Sequence, residues 1–127
     1  MDRKYTVATQ KKTLSDVLIS EAHPDTSKAN KTFAAGAAYL LGEVLAINNG
    51  KCCKFVPGAN DATGKPRAVA RQDVDASAGD AQGMVCMRNT ALLSSGLVWP
   101  AAITAPQQVA AVWALEDVYG LVIKAAE

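Results

Sequence analysis

Apolar and polar residues alternate most regularly between Phe33 and Val56. Glu43, Leu45 and Ile47 fall on one side of an extended chain there, and Val44 and Ala46 on the other, because successive side chains of a strand point to opposite faces. Asn48-Asn49-Gly50 follows, and Asn-Gly supplies the positive φ angles that a tight hairpin turn demands. The pattern predicts a β-hairpin whose return strand covers residues 51–56 and stops at Pro57-Gly58, followed by a polar loop over 58–66. Further short strands are predicted at 67–71, 84–90, 97–99 and 121–124, with 79–83 as the loop before Met84.

Near the C-terminus the period changes. Val109, Val112, Trp113, Leu115 and Tyr119 cluster on one broad face of a helix. Thr104 suits its N-cap, Pro106 its first turn and Gly120 its stop, and Gln107 completes a Thr-x-x-Gln capping box. At the other end, Leu14, Val17, Leu18 and Ile19 suit either a helical turn or the start of a strand. His23-Pro24-Asp25 interrupts whatever precedes it, since proline pushes the residue before it to extended geometry. About six or seven short strands and one helix make a small β-rich α+β domain.

Residues 1–13 stand apart as a flexible N-terminal arm, leaving 14–127 as the domain. The arm sets Arg3, Lys4, Lys11 and Lys12 against Asp2 and offers only Tyr5, Val7 and Ala8 for burial. Such a segment is expected to be disordered in the isolated molecule and to order on a partner.

The chain has 127 residues, one domain's worth, enough to bury a core without metals or disulfides. A net charge of +1 creates no global field toward nucleic acid or an anionic membrane, so neither is expected as a partner. No stretch has the apolar length of a membrane span, and the N-terminus lacks the apolar centre of a signal peptide. Cys52, Cys53 and Cys86 follow no disulfide framework, and adjacent cysteines in a strand point to opposite faces. They are expected to be reduced, partly buried small hydrophobes, with a bridge from Cys86 to either neighbour as the alternative.

Catalytic and cofactor chemistry is sparse. His23 is the one histidine, which leaves no metal cluster and no triad. Residues 58–65 (GANDATGK) imitate a phosphate loop, but five residues separate the glycines and Pro66 replaces the magnesium-binding hydroxyl. Asp73, Asp75 and Asp80 lack the glycine and glutamate spacing of a calcium loop. No catalytic residue, cofactor or metal is expected, and the chain reads as a binding or structural protein. Glu116, within the helix's apolar face, is either a carboxylate at the rim or one half of a pair across a subunit contact.

Several segments, in order, resemble the lambda-like bacteriophage head decoration family. They are LSDVLISEA at 14–22, GAAYLLGEVL at 36–45, AVARQDVDA at 68–76, MVCMRN at 84–89, and Leu97-Val98-Trp99-Pro100 before the alanine-rich capped helix, Gly120 and residues 121–124. The adjacent cysteines, the 58–66 loop and the basic arm have no counterpart in that pattern. The resemblance implies a homotrimer on the outer surface of a phage capsid at local three-fold sites, stabilising the expanded shell against the pressure of packaged DNA. It implies the major capsid protein as partner, a protein made in the host cytoplasm, and no enzymatic activity. The arm would pair with a coat-protein loop as an added strand. Thr6, Val7 and Thr9 suit strand geometry, Tyr5 adds apolar area, and Arg3, Lys4, Lys11 and Lys12 suit an acidic coat surface. Trp99, Pro100 and Glu116 are the candidate trimer contacts, with Trp99 divided between core and interface. The alternatives are another trimeric virion part, such as a tail or fibre component, and a ligand-binding β-module.

Overall fold

A computed structural model of the chain describes residues 13, 14, 17–21, 28–88 and 90–124. They form ten strands and one long helix. The strands are β1 (Leu18–Glu21), β2 (Lys28–Phe33), β3 (Ala38–Tyr39), β4 (Val44–Asn48), β5 (Lys51–Lys54), β6 (Ala68–Ala70), β7 (Val74–Asp75), β8 (Ala81–Cys86), β9 (Thr90–Leu93) and β10 (Leu121–Lys124); the helix α1 spans Ala105–Tyr119. A closed barrel runs β2-β5-β4-β6-β8, a three-stranded sheet runs β1-β9-β10, and β3 and β7 make a two-stranded ribbon.

The predicted hairpin forms as β4 and β5, in antiparallel register from Leu45↔Lys54 to Asn48↔Lys51. Its turn places Asn49 at φ 54° and Gly50 at φ 78°, the left-handed pair that an Asn-Gly turn requires. The hairpin is more buried than simple alternation predicts. Val44, Leu45 and Ala46 are all inaccessible, because both faces of the barrel wall are covered. Leu45 joins Phe33, Tyr39, Cys52 and Val85 in a cluster centred on the barrel. Val44 joins Val17, Val69, Leu92, Ala111, Leu115 and Leu121 in a second cluster, toward the three-stranded sheet and helix.

Several boundaries depart from the sequence pattern. Lys28–Phe33, whose lysines and asparagine are weak strand formers, is a full strand held by six residue pairs with β8. The expected loop at 79–83 is instead half strand, since β8 begins at Ala81. Gly83 belongs in it because a Cβ there would sit 2.8 Å from the Phe33 ring and 2.5 Å from Val74 Cγ2. The expected strand at 84–90 ends at Cys86, and the chain restarts as β9 at Thr90. Residues 97–99 contribute one bridge, Val98 to Glu43, and the 58–66 loop contains a short 3-10 helix at Ala62–Gly64. The undecided segment after Leu14 resolves into a turn at Val17 and the strand β1.

The helix begins and ends where its caps predict. Gln107 donates its backbone N–H to Thr104 Oγ1 (3.3 Å), and Thr104 returns its own N–H to Gln107 Oε1 (2.9 Å). Gly120 stops the helix at φ 71° and donates to the Glu116 carbonyl. Its orientation differs from the expected one. Ala111 and Leu115 are buried, whereas Val109 and Trp113 are 49% and 64% exposed. Small Ala111 permits close approach to the core, so the helix rests on its alanine side and turns its larger residues out. The side chain of Tyr119 lies outside the described residues.

Candidate functional site

The candidate arm residues Arg3, Lys4, Tyr5, Thr6, Val7, Thr9, Lys11 and Lys12, like His23, lie outside the described residues. What the structure gives is their point of attachment. Leu14 packs against the helix-side cluster, and Val17 is buried at its centre. Val17 donates its N–H to the Leu14 carbonyl (3.0 Å) and accepts from Leu93 N–H (2.7 Å). The chain then enters β1, which pairs with β9 on one side and forms an edge of its three-stranded sheet. A segment leading into an edge strand arrives beside unsatisfied backbone groups, the arrangement to which a further strand can be added.

The three candidate subunit-contact residues flank the helix, Trp99 and Pro100 before its start and Glu116 near its end. Trp99 is half-buried and packs against that cluster, which includes Leu97, Ala111 and Leu115. Pro100 is half-buried beside it, and its carbonyl accepts from Ile103 N–H, in the turn before the helix, at 3.1 Å. Glu116 is also half-buried, and its Oε2 accepts the backbone N–H of Ile123 on β10 at 3.1 Å. This carboxylate therefore ties the helix to the strand that follows it.

A polar network holds the β3–β7 ribbon against the hairpin. Glu43 is 7% exposed, yet both its oxygens are engaged: Leu40 N–H donates to Oε1 (3.0 Å) and Lys54 Nζ to Oε2 (2.8 Å). Lys54 also donates to the Ala38 carbonyl (2.8 Å) and lies 4.8 Å from the centre of the Tyr39 ring. Burial of this kind is tolerated because the carboxylate is paired and fully bonded. The acidic residues at 73–80 act as turn staples. Asp73 accepts from Leu41 N–H (2.7 Å), Asp75 from the N–H and hydroxyl of Ser77 (3.0 and 2.6 Å), and Asp80 from Ala35 N–H (2.9 Å) while pairing with Lys51 (2.6 Å). The Ser77 hydroxyl and the Lys51 ammonium hold the Asp75 and Asp80 carboxyls below the usual carboxylate range.

The thiols are arranged for packing. Cys52 is buried in the barrel, and Cys53, on the opposite face of β5, is half-buried. None of the three cysteines forms a disulfide. Burial pushes the Cys52 thiol up to about 11 and raises Cys53 as well. A thiolate is the reactive form, so a thiol-specific alkylating reagent at neutral pH is expected to modify Cys53 slowly and Cys52 only on unfolding. Mass spectrometry of the time course checks this; modification of Cys52 in the native protein would show that the barrel opens readily.

The architecture therefore offers a β-barrel core, an N-terminal segment feeding an edge strand, and an outward-facing apolar helix. Among the described residues no three metal-ligating side chains are grouped, and no helix is long and apolar enough to cross a membrane. A sequence profile of bacteriophage lambda head decoration protein D matches residues 7–121. The chain belongs to this family. The match takes in the last residues of the arm, the barrel, the helix and the start of β10. No individual curated protein matches the chain. Membership of the head decoration protein D family makes this a structural phage protein with a role on the capsid of the virion. The sequence pattern misplaced Val109 and, more prominently, Trp113, both of which are exposed. A signal for this was present, since the helix is apolar on more sides than a single buried stripe requires.

Proposed function

We propose that the protein sits as a homotrimer on the exterior of a phage head at local three-fold sites. There it clamps neighbouring capsomers and stabilises the expanded shell against internal DNA pressure. The observation that carries this reading is the family match over residues 7–121, which begins inside the arm and runs continuously into the folded domain. Residues 1–13 extend along the coat protein and add a strand, with Thr6, Val7 and Thr9 in the backbone pairing. Arg3, Lys4, Lys11 and Lys12 face acidic coat residues, and Tyr5 adds apolar contact. The position of β1 at a sheet edge supports this mode, because the arm reaches the shell from an element with backbone groups still open on one side. Trp99 and Pro100, before the helix, and Glu116, near its end, lie close to the subunit contact.

Co-sedimentation with purified heads tests the proposal. Saturable binding is expected on expanded heads, with little on unexpanded ones, and decorated heads are expected to lose DNA at a higher temperature than bare ones. Binding that saturates equally on both shells would remove the expansion requirement. Absence of binding to either would leave a tail or fibre component as the better reading.

A further inference from the structure

From Ala105 to Leu115 the helix carries no charged residue. Its outward side presents Ala105, Pro106, Gln108, Val109 and Trp113 to solvent, and Trp113 is 64% exposed. A helix apolar on all sides is ordinarily covered on all sides, and an exposed tryptophan on such a surface has the character of an interface anchor. Beside this crest lies a cleft of about 360 Å³ between the helix and the 58–66 loop. Gln107, Ala110 and Ala114 form its helical wall, and Phe55, Gly58 and Pro66 line the opposite side. That volume is ample for an indole ring and sits at the lower end of cavities that hold small organic molecules.

The cleft's shape is built into the loop. Gly58 has φ +86°, a conformation that side-chain-bearing residues rarely adopt. A Cβ on Gly64 would fall 2.1 Å from the Ala59 carbonyl oxygen. A Cβ on Gly58 would meet Gln107 Nε2 at 3.4 Å, so glycine there leaves the loop side of the cleft open toward the helix.

We propose that Trp113 of one copy inserts into this cleft on a second copy of the same chain. Charge complementarity identifies the occupant. Lys65, exposed at the rim, is the one charged residue lining the cleft. Asp117, exposed one turn beyond Trp113 on the same crest, is the acidic residue placed to meet it. Knob and cleft are different surfaces of one helix, since residues 109 and 113 lie to one side and 107, 110 and 114 to the other. The contact is therefore head-to-tail, and such contacts close into rings when the rotation permits. Closure at three subunits rests on the trimer proposed above; the pairing of Trp113 with the cleft does not.

The test uses full-length protein and analytical ultracentrifugation. Wild-type protein is expected to sediment as a multi-subunit species. Trp113→Gln, which removes the knob, and Ala110→Glu, which blocks the cleft, should each sediment as a single subunit. Both positions are exposed, so circular dichroism and thermal melts should match wild type. A mixture of the two variants should form a one-to-one complex, because one intact knob then meets one intact cleft and no ring can close. Where either variant proves unstable, Asp117→Lys and Lys65→Asp serve instead, each weakening assembly and the double exchange restoring it. The proposal is overturned by wild-type protein that is a single subunit at every concentration, by variants that keep the wild-type mass, or by a mixture that stays unpaired. A Trp113→Gln protein that keeps its assembly but loses binding to heads assigns the crest to the coat protein, and also overturns it. If instead the variants dissociate as expected while wild-type protein ignores expanded heads, the self-contact stands and the head-binding reading falls.

Discussion

Deletion of residues 1–13 is expected to abolish stable binding to expanded heads while leaving the domain folded. The cut falls just before Leu14, which packs on the helix-side cluster, and leaves Val17 and its bonds to Leu14 and Leu93 intact. The melting temperature of the truncated protein should therefore stay close to that of the full chain. The loss of binding should be far larger than a single arm's contribution. Three arms on one trimer engage as a linked unit, and linkage of this kind raises overall affinity by about 10²–10⁴-fold over one contact. Removing all three forfeits that multiplier together with the contacts. Arm residues fully extended reach roughly 3.3–3.6 Å each, so the segment spans well beyond its own subunit. Charge-only variants separate the two components of the contact. Exchange of Arg3, Lys4, Lys11 and Lys12 for glutamine should weaken binding chiefly at low salt, because exposed charges are screened over about 8 Å at physiological ionic strength. Full binding by the truncated protein would place the coat contact on the domain instead.

The features readable in the sequence were those set by local chemistry. Asn49-Gly50 fixes a turn from its own φ preferences, and Thr104, Gln107 and Gly120 fix a helix from both ends. Cys52 and Cys53 take opposite faces because a strand allows nothing else. The order of these pieces along the chain was enough to place it in its family. Features set by distant partners were hidden. Lys28–Phe33 is a strand because β8, some fifty residues on, supplies a ladder for all six of its positions. Glu43 is buried because Lys54 and the Leu40 amide are brought to it. The helix turns Trp113 outward because Ala111 fits against the core more closely than a tryptophan could. That last choice bears on function. It moves the most prominent apolar surface from the interior, where periodicity places it, to the face open to another molecule.

Phe33→Ala is expected to be the most damaging single substitution in the domain, at a cost of about 3–5 kcal/mol. Phe33 is fully buried and occupies the seam at which the barrel closes. It pairs with Ala81 of β8 on one side and with Cys52 of β5 on the other, and the pair with Cys52 is the one residue pair that joins β2 to β5. Its ring meets Tyr39 edge-on with centroids 5.0 Å apart, a geometry worth about 0.5–1.5 kcal/mol beyond the area buried. Gly83 lies directly against the ring and carries no side chain that could swing into the space. A small domain is stable by only about 5–15 kcal/mol, and this loss would leave a substantial unfolded fraction at physiological temperature. Urea titration checks the size of the effect, with a lower midpoint expected at an unchanged slope. Leu115→Ala makes the informative comparison. It empties the helix-side cluster by about 2–5 kcal/mol but leaves the barrel seam closed, so it should loosen the helix that carries Trp113 and weaken self-association before it unfolds the domain. Equal losses of stability with equal losses of assembly in the two variants would mean that barrel and helix unfold as one unit, and that the crest cannot be weakened independently of the barrel beneath it.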